Sequence, residues 1–185
     1  ANAKILIVSW GSRGDVQPCV ALALRLQELG FRVKVLVGDQ YEMNHVEFVR
    51  SFSVDAESYP CILDFDADGL MAGRETNHFF DDVDSTPEQF VIYDQVKSFM
   101  PALLLYPPRH ALVAWVIEKR LAICTIQFNF HWDQASIDFA RGTMKDMVKK
   151  EARLAAHLGA RSLDLDFAEV AGRAGISRPI LYAVS

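Results

Sequence analysis

The sequence predicts a three-layer α/β domain, in which helices cover both faces of a mostly parallel sheet. Short, continuously apolar runs are typical of buried parallel strands, and stretches with helical apolar periodicity separate them. Residues 4–9 form the first apolar run, and a glycine-rich turn over 10–18 (WGSRGDVQP) leads from it into a helix. A strand, a tight turn and a helix in this order form the first unit of a Rossmann-like fold.

The first half of the chain alternates helices and strands. The apolar residues of the first helix recur at helical spacing, and Gly30 suits the position just after its end. The next strand alternates charged and apolar residues, which places it nearer the edge of the sheet. The predicted elements are a helix over 16–29, a strand over 31–37, a helix over 40–50 and a short strand over 59–63.

The second half resumes the alternation after an irregular stretch over 70–86, whose aromatic residues suit either a binding loop or a loop anchored to the core. Thr86 and Pro87 suit the start of a helix, and Pro107-Pro108 ends a buried strand. The predicted elements are helices over 87–101, 109–120 and 135–158 and strands over 103–106, 123–128 and 179–185.

Composition narrows the class of protein. With 185 residues, 51% hydrophobic and 23% charged, the chain is long and apolar enough for one globular domain. A net charge of −5 argues against a general nucleic-acid-binding protein, whose surface would be basic. Cys19, Cys61 and Cys124 lack the spacing of a metal site, which favours reduced thiols. Because the sequence shows neither a signal peptide nor an apolar run of membrane length, we expect a cytoplasmic protein.

The turn after the first strand combines groups that bind ligands. Gly11 and Gly14 allow a ligand to approach the backbone, and the following helix offers unpaired N–H groups. Pro18 is expected in the first helical turn, where its missing N–H has no helical partner. Asp15 has two interpretations: an N-cap that accepts the N–H of Gln17, or a general base that takes a proton from a substrate hydroxyl.

The residues from Gly11 to Pro18 (GSRGDVQP) resemble the opening motif of sterol 3-beta-glucosyltransferases and of bacterial glycosyltransferases that act on glycopeptides and macrolides. The resemblance continues in the Glu, Leu and Ile of 117–124 and in the PILYAVS strand over 179–185. These enzymes have the GT-B fold, in which two Rossmann-like domains face a cleft and the N-terminal domain holds the acceptor. The resemblance implies that Asp15 is the general base that deprotonates the acceptor hydroxyl.

The resemblance also implies an acceptor site around this turn. Phe130-His131-Trp132 stands where the family often has Pro-Trp-Thr. Trp10 and Trp132 would flank one apolar pocket for a lipophilic acceptor, either sterol-like or another natural product. His131 is interpreted as a second acid/base group, a polar contact to the acceptor, or a plain loop histidine. The predicted acceptor-binding residues are Trp10, Gly11, Ser12, Arg13, Gly14, His131 and Trp132.

By this resemblance, residues 1–185 are a single N-terminal acceptor-binding domain, and the C-terminal nucleotide-sugar domain is absent from the sequence. A UDP-sugar donor is expected in that second half, which would be supplied in cis or in trans. This domain is therefore expected to bind no cofactor and no metal, and to be inactive alone. The basic residues of the helix over 135–158 are interpreted as a solvated face, with peripheral contact to a membrane as the alternative.

Two other functions stay open. The chain is alternatively a non-catalytic Rossmann-like binding or scaffold module. It is alternatively a dinucleotide-dependent enzyme that uses Gly11, Gly14 and Asp39, although the dinucleotide fingerprint requires a third glycine. The acidic stretch over 64–69 lacks the spacing and closing Glu of a calcium loop, so it is predicted to be a surface loop.

Overall fold

A computed structural model gives the structure of the chain and describes residues 2–39, 44–60, 86–129, 144–163 and 180–182. The strands are β1 (Lys4–Ser9), β2 (Arg32–Asp39), β3 (Asp55–Pro60), β4 (Leu103–Tyr106), β5 (Cys124–Asn129) and β6 (Ile180–Tyr182). The helices are α1 (Arg13–Glu28), α2 (His45–Arg50), α3 (Thr86–Phe99), α4 (Ala111–Leu121) and α5 (Met144–His157), and a 3-10 turn, Pro108–His110, precedes α4.

The six strands form one parallel sheet in the order β3-β2-β1-β4-β5-β6. Successive residues of β1 face opposite sides of this sheet. Ile5 and Ile7 pack with the buried residues of α1 and α2, whereas Leu6 and Val8 pack with those of α3, α4 and α5. Helices therefore cover both faces, and the predicted Rossmann-like three-layer α/β fold is confirmed.

The strand order places a switch point beside β1. The chain proceeds outward from β1 through β2 to β3, and then returns to pair β4 with the other side of β1. In open α/β sheets ligands bind outside the carboxyl ends of the strands at such a point. The turn after Ser9 lies there.

Several element boundaries differ from the prediction, and three of the differences affect the argument. The strand predicted over 59–63 begins earlier, at Asp55, and residues 61–63 lie outside the described residues. The charged residues Asp55 and Glu57 belong to this edge strand, where Glu57 pairs with Lys34 of β2 at 2.5 Å. The first helix begins at Arg13, so Pro18 is inside the helix and its predicted place in the first turn is wrong. A 3-10 turn delays the start of α4 to Ala111.

The end of α4 keeps the turn that a glycine usually makes. Ala122 adopts the left-handed conformation, with φ 54° and ψ 31°, and its N–H donates to the carbonyl of Glu118. A glycine is the residue that adopts this conformation at little cost, since it has no Cβ. The chain therefore makes the turn with alanine and accepts a strain of about 1 kcal/mol.

Candidate functional site

Ser12, rather than Asp15, caps α1. The Oγ of Ser12 accepts the N–H of Gly14 at 3.2 Å, and the carboxylate Oδ2 of Asp15 accepts the backbone N–H of Ser12 at 2.7 Å. Ser12 also directs its hydroxyl to Asp15 Oδ2 at 3.1 Å. This is a capping box with Asp15 at the third helical position. The interpretation of Asp15 as an N-cap that binds the N–H of Gln17 is therefore wrong.

Gly11 makes room for that carboxylate. Its φ is +116°, a backbone conformation that residues with a side chain rarely adopt. A Cβ atom built on Gly11 would lie 2.2 Å from Asp15 Oδ2 and 2.7 Å from its Cγ. Two residues of the motif thus depend on each other, because the carboxylate reaches Ser12 only when position 11 lacks a side chain.

Asp15 is half-buried at the helix N-terminus, at the mouth of the sheet. The two donors of Ser12 hold this carboxylate in a fixed orientation. Arg13, which is exposed, extends to α2 and places its guanidinium 4.3 Å from the ring centre of Phe48. The turn therefore combines an oriented carboxylate with backbone that a ligand can approach.

Trp10 is packed partly against the core on the α3 and α4 side of the sheet. The guanidinium of Arg109 lies 4.9 Å from the centre of its ring. Two nitrogens of Arg109 in turn donate to the fully buried carboxylate of Glu88 at 3.2 and 3.1 Å. The indole Nε1 of Trp10 is buried and has no hydrogen-bond partner in the described part of the chain, which is uncommon for a buried donor.

A buried chain of hydrogen bonds lies beneath the turn. The hydroxyl of Tyr59 is 2.9 Å from the carbonyl oxygen of Ser9 and 2.9 Å from Nε2 of His110. The Tyr59 and His110 rings also meet edge to face, with centroids 5.5 Å apart. Burial, and secondarily the charge of Arg109, lowers the pKa of His110 from its ordinary 6.5 to about 3. The imidazole is therefore neutral at physiological pH.

Sequence reasoning missed four of these residues, namely Tyr59, Glu88, Arg109 and His110. Glu88 carried a visible signal, since it directly follows Pro87 at a predicted helix start, but its partner lies 21 residues away. His110 lies at a predicted helix start, which was a weaker signal. The sequence does not show which strand it would contact.

The folded state should lose stability as the pH falls from 7 to 5, because of His110. In this window the unfolded chain protonates this imidazole and the folded chain does not, so acid favours unfolding. The slope contributed by His110 is expected to approach roughly 1 kcal/mol per pH unit below pH 6.5. Urea unfolding at several pH values measures it. His110→Gln should flatten the curve, whereas an equal slope in both proteins would contradict the assignment.

One cavity of about 500 Å³ opens beside α2 and the carboxyl ends of β2 and β3. Its lining is mostly polar and includes the buried His45, but neither Trp10 nor Asp15. It is therefore not the apolar pocket expected between Trp10 and Trp132. Its lining residues are Val37, Gly38, Asn44, His45, Val46, Glu47, Arg50, Glu57 and Ser58.

Several predicted features lie outside the described residues. They include the acceptor residues His131 and Trp132, the acidic stretch over 64–69 and the irregular stretch over 70–86 except its last residue, which begins α3. Asp39 is the last residue of β2. Across the described ranges, no helix has both the length and the apolar character needed to cross a lipid bilayer. The same ranges hold no group of three or more His, Cys, Asp or Glu side chains arranged to bind a metal ion.

Comparison with known proteins gives consistent matches. The family model of the glycosyltransferase family 28 N-terminal domain matches residues 5–100. Sterol 3-beta-glucosyltransferase UGT80B1 of Arabidopsis thaliana is 47% identical over 57 residues, which are 31% of this chain and 8% of the plant protein.

Solved structures are similar in fold. The glycosyltransferase SnogD from Streptomyces nogalater matches with a TM-score of 0.57 and 16% identity, over 83% of this chain and 42% of that chain. UGT89C1 of Arabidopsis thaliana, complexed with UDP-L-rhamnose, matches with a TM-score of 0.53 and 16% identity, over 81% of this chain and 43% of that chain. The matches therefore cover less than half the length of each of these three proteins.

Proposed function

Because the chain belongs to the glycosyltransferase family 28 N-terminal domain family, we propose that it is the acceptor-binding half of a UDP-sugar-dependent glycosyltransferase. Its substrate would be a hydroxyl group of a lipophilic acceptor. The observation that carries the proposal is the Asp15 carboxylate, oriented by Ser12 at the switch point of the sheet.

In this reaction Asp15 takes the proton of the acceptor hydroxyl. The electron pair of the O–H bond forms the new bond to the anomeric carbon, and the bond from that carbon to the nucleoside diphosphate breaks. General bases of this kind must be ionised and held in one orientation. The two donors of Ser12 meet the second need, since they bind a single oxygen of Asp15 and hold it in one orientation.

The acceptor would lie against Trp10, and Trp132 would form the other wall of its pocket. A flat apolar molecule buries its surface well between aromatic rings. The Nε1 of Trp10, which is buried and lacks a partner among the described residues, supports this placement, since an oxygen of the acceptor would give it a hydrogen-bond acceptor. In this proposal His131 is a polar contact, and the backbone of Gly11 and Gly14 lets the acceptor hydroxyl approach Asp15.

The donor would be held by a C-terminal GT-B domain, supplied in cis or in trans. The UGT89C1 structure contains UDP-L-rhamnose, and UGT80B1 is named for glucosyl transfer to sterols. A UDP-sugar and a sterol-like acceptor are therefore the first substrates to try. Because lipophilic molecules enter membranes, we also expect this protein to act near a membrane surface, on the cytoplasmic side.

Asp15→Asn should lower turnover by about 10²-fold or more while the melting temperature stays close to that of the wild type. The amide oxygen of asparagine still accepts the N–H of Ser12, but it cannot take a proton. The measurement is the kcat of sugar transfer from UDP-glucose to a sterol, in a protein that joins this chain to a C-terminal nucleotide-sugar domain.

Asp55→Asn is the matched control, since Asp55 is an exposed carboxylate at the start of β3, the edge strand. Normal turnover by Asp15→Asn would reduce Asp15 to its capping role. Binding of NADH, but of no sterol, by the chain would instead favour the dinucleotide alternative.

A further inference from the structure

The hydrogen bonds from His110 to Tyr59 and from Tyr59 to Ser9 reach the backbone at the start of the turn. Ser9 is the last residue of β1, and its carbonyl belongs to the peptide bond that joins it to Trp10. Tyr59, on β3, reaches this carbonyl across the intervening strand β2. A side chain from the sheet edge therefore holds the end of a central strand.

The direction of the hydrogen bonds follows from counting protons. A tyrosine hydroxyl has one proton, and the carbonyl of Ser9 can only accept. When Tyr59 donates to Ser9, Nε2 of His110 must carry a proton and donate to the tyrosine oxygen. The neutral imidazole of His110, only 1% exposed, supplies this donor.

Gly38 leaves space over β2 for the ring of Tyr59. In the parallel pairing of β2 with β3, Gly38 lies directly opposite Tyr59. Residues opposite each other on neighbouring strands direct their side chains to the same face of the sheet. Because Gly38 has no side chain, the ring of Tyr59 can extend over β2 toward Ser9 and His110.

We propose that Tyr59 and His110 are positioning residues for the reaction at Asp15. They fix the Ser9–Trp10 peptide, and through it the turn that holds the Asp15 carboxylate. This inference rests on the proposed function, since Asp15 has a reaction to serve only there. Both side chains are buried and act through the backbone. A small displacement of a reacting group is enough to lower a rate by up to about 10²-fold.

Tyr59→Phe tests the proposal, since it removes one oxygen atom and keeps the ring. We expect kcat for sugar transfer in the joined protein to fall about 10-fold or more, with the KM for the sterol changed less than about twofold. In NMR spectra of the chain, the amide resonances of residues 10–15 should shift, whereas those of α5 should not. Tyr93→Phe, which removes a hydroxyl from another buried tyrosine, should leave kcat and these resonances unchanged.

Substitutions of His110 separate positioning from stability. Glutamine can still donate an N–H to Tyr59 and leucine cannot, so His110→Gln should retain more activity than His110→Leu at a temperature where both are folded. Equal activities, or unshifted resonances of residues 10–15 in Tyr59→Phe, would overturn the proposal. If the wild-type protein transfers no sugar, the proposed function fails, while the amide resonances still decide whether Tyr59 holds the turn.

Discussion

Arg109→Ala is expected to lower the free energy of unfolding by about 3–5 kcal/mol, because it leaves the carboxylate of Glu88 buried without its cation. Glu88 is 0% exposed, and Arg109 binds it through two nitrogens. Removing one partner of a buried ion pair costs more than the intact pair contributes, because the remaining charge keeps its desolvation cost. The substitution also removes the guanidinium that lies over Trp10. Equilibrium unfolding in urea measures the loss.

The ion pair between Arg25 and Glu28 is the matched control. Its side chains are 68% and 63% exposed, so Arg25→Ala should change stability by less than about 0.5 kcal/mol. Replacing Glu88 and Arg109 together by apolar residues should recover much of the loss, since neither charge of the pair is then buried. Equal small losses from the two arginine substitutions would show that burial does not govern the Glu88 pair.

Gly11→Ala is expected to destabilise the fold by about 2–4 kcal/mol, from backbone strain together with the loss of the capping box. The new Cβ would lie 2.2 Å from Asp15 Oδ2, and the φ of +116° would be strained for alanine. Asp15 must then leave Ser12, so the joined protein should also lose sugar transfer. Urea unfolding and kcat measure the two effects.

Gly14→Ala provides a close control three residues away in the same motif. A Cβ at Gly14 meets only the Oγ of Ser12, at an ordinary 3.5 Å, and its position inside α1 favours alanine. Its stability should stay equal or rise. The double variant Gly11→Ala with Asp15→Ala removes the collision with the carboxylate but keeps the strain and the 3.1 Å contact with the Cβ of residue 15, so the additional effect of Gly11→Ala should be smaller there. An unchanged effect would assign the whole loss to the backbone.

The strand, turn and helix around Gly11 could be predicted because each has a local sequence signal. The roles of the polar residues in the turn could not. Ser12 and Asp15 are both common N-cap residues, and the sequence alone does not say which one accepts the first helical N–H. The structure shows that both take part, Ser12 as the cap and Asp15 through its bond back to Ser12.

The surroundings of the turn were beyond sequence reasoning for a different reason. Tyr59 and His110 come from β3 and from the turn before α4, 51 residues apart. Their contact depends on the order of the strands, and apolar periodicity predicts that strands exist without giving their order. The edge strand β3 was misplaced for a related reason, since its charged residues obscured the apolar pattern.

The position of β1 also has a consequence for how the chain folds. The pairing of β1 with β2 and of β2 with β3 is local, whereas β1 meets β4 only after the intervening chain has been made, as in the pairing of Ile5 with Leu103. Contacts between distant parts of a chain form late and slow the folding reaction. During synthesis one side of β1 therefore stays an open edge, able to pair with other chains, until β4 arrives. Aggregation of truncated chains that end before β4 would be the visible sign of this exposed edge.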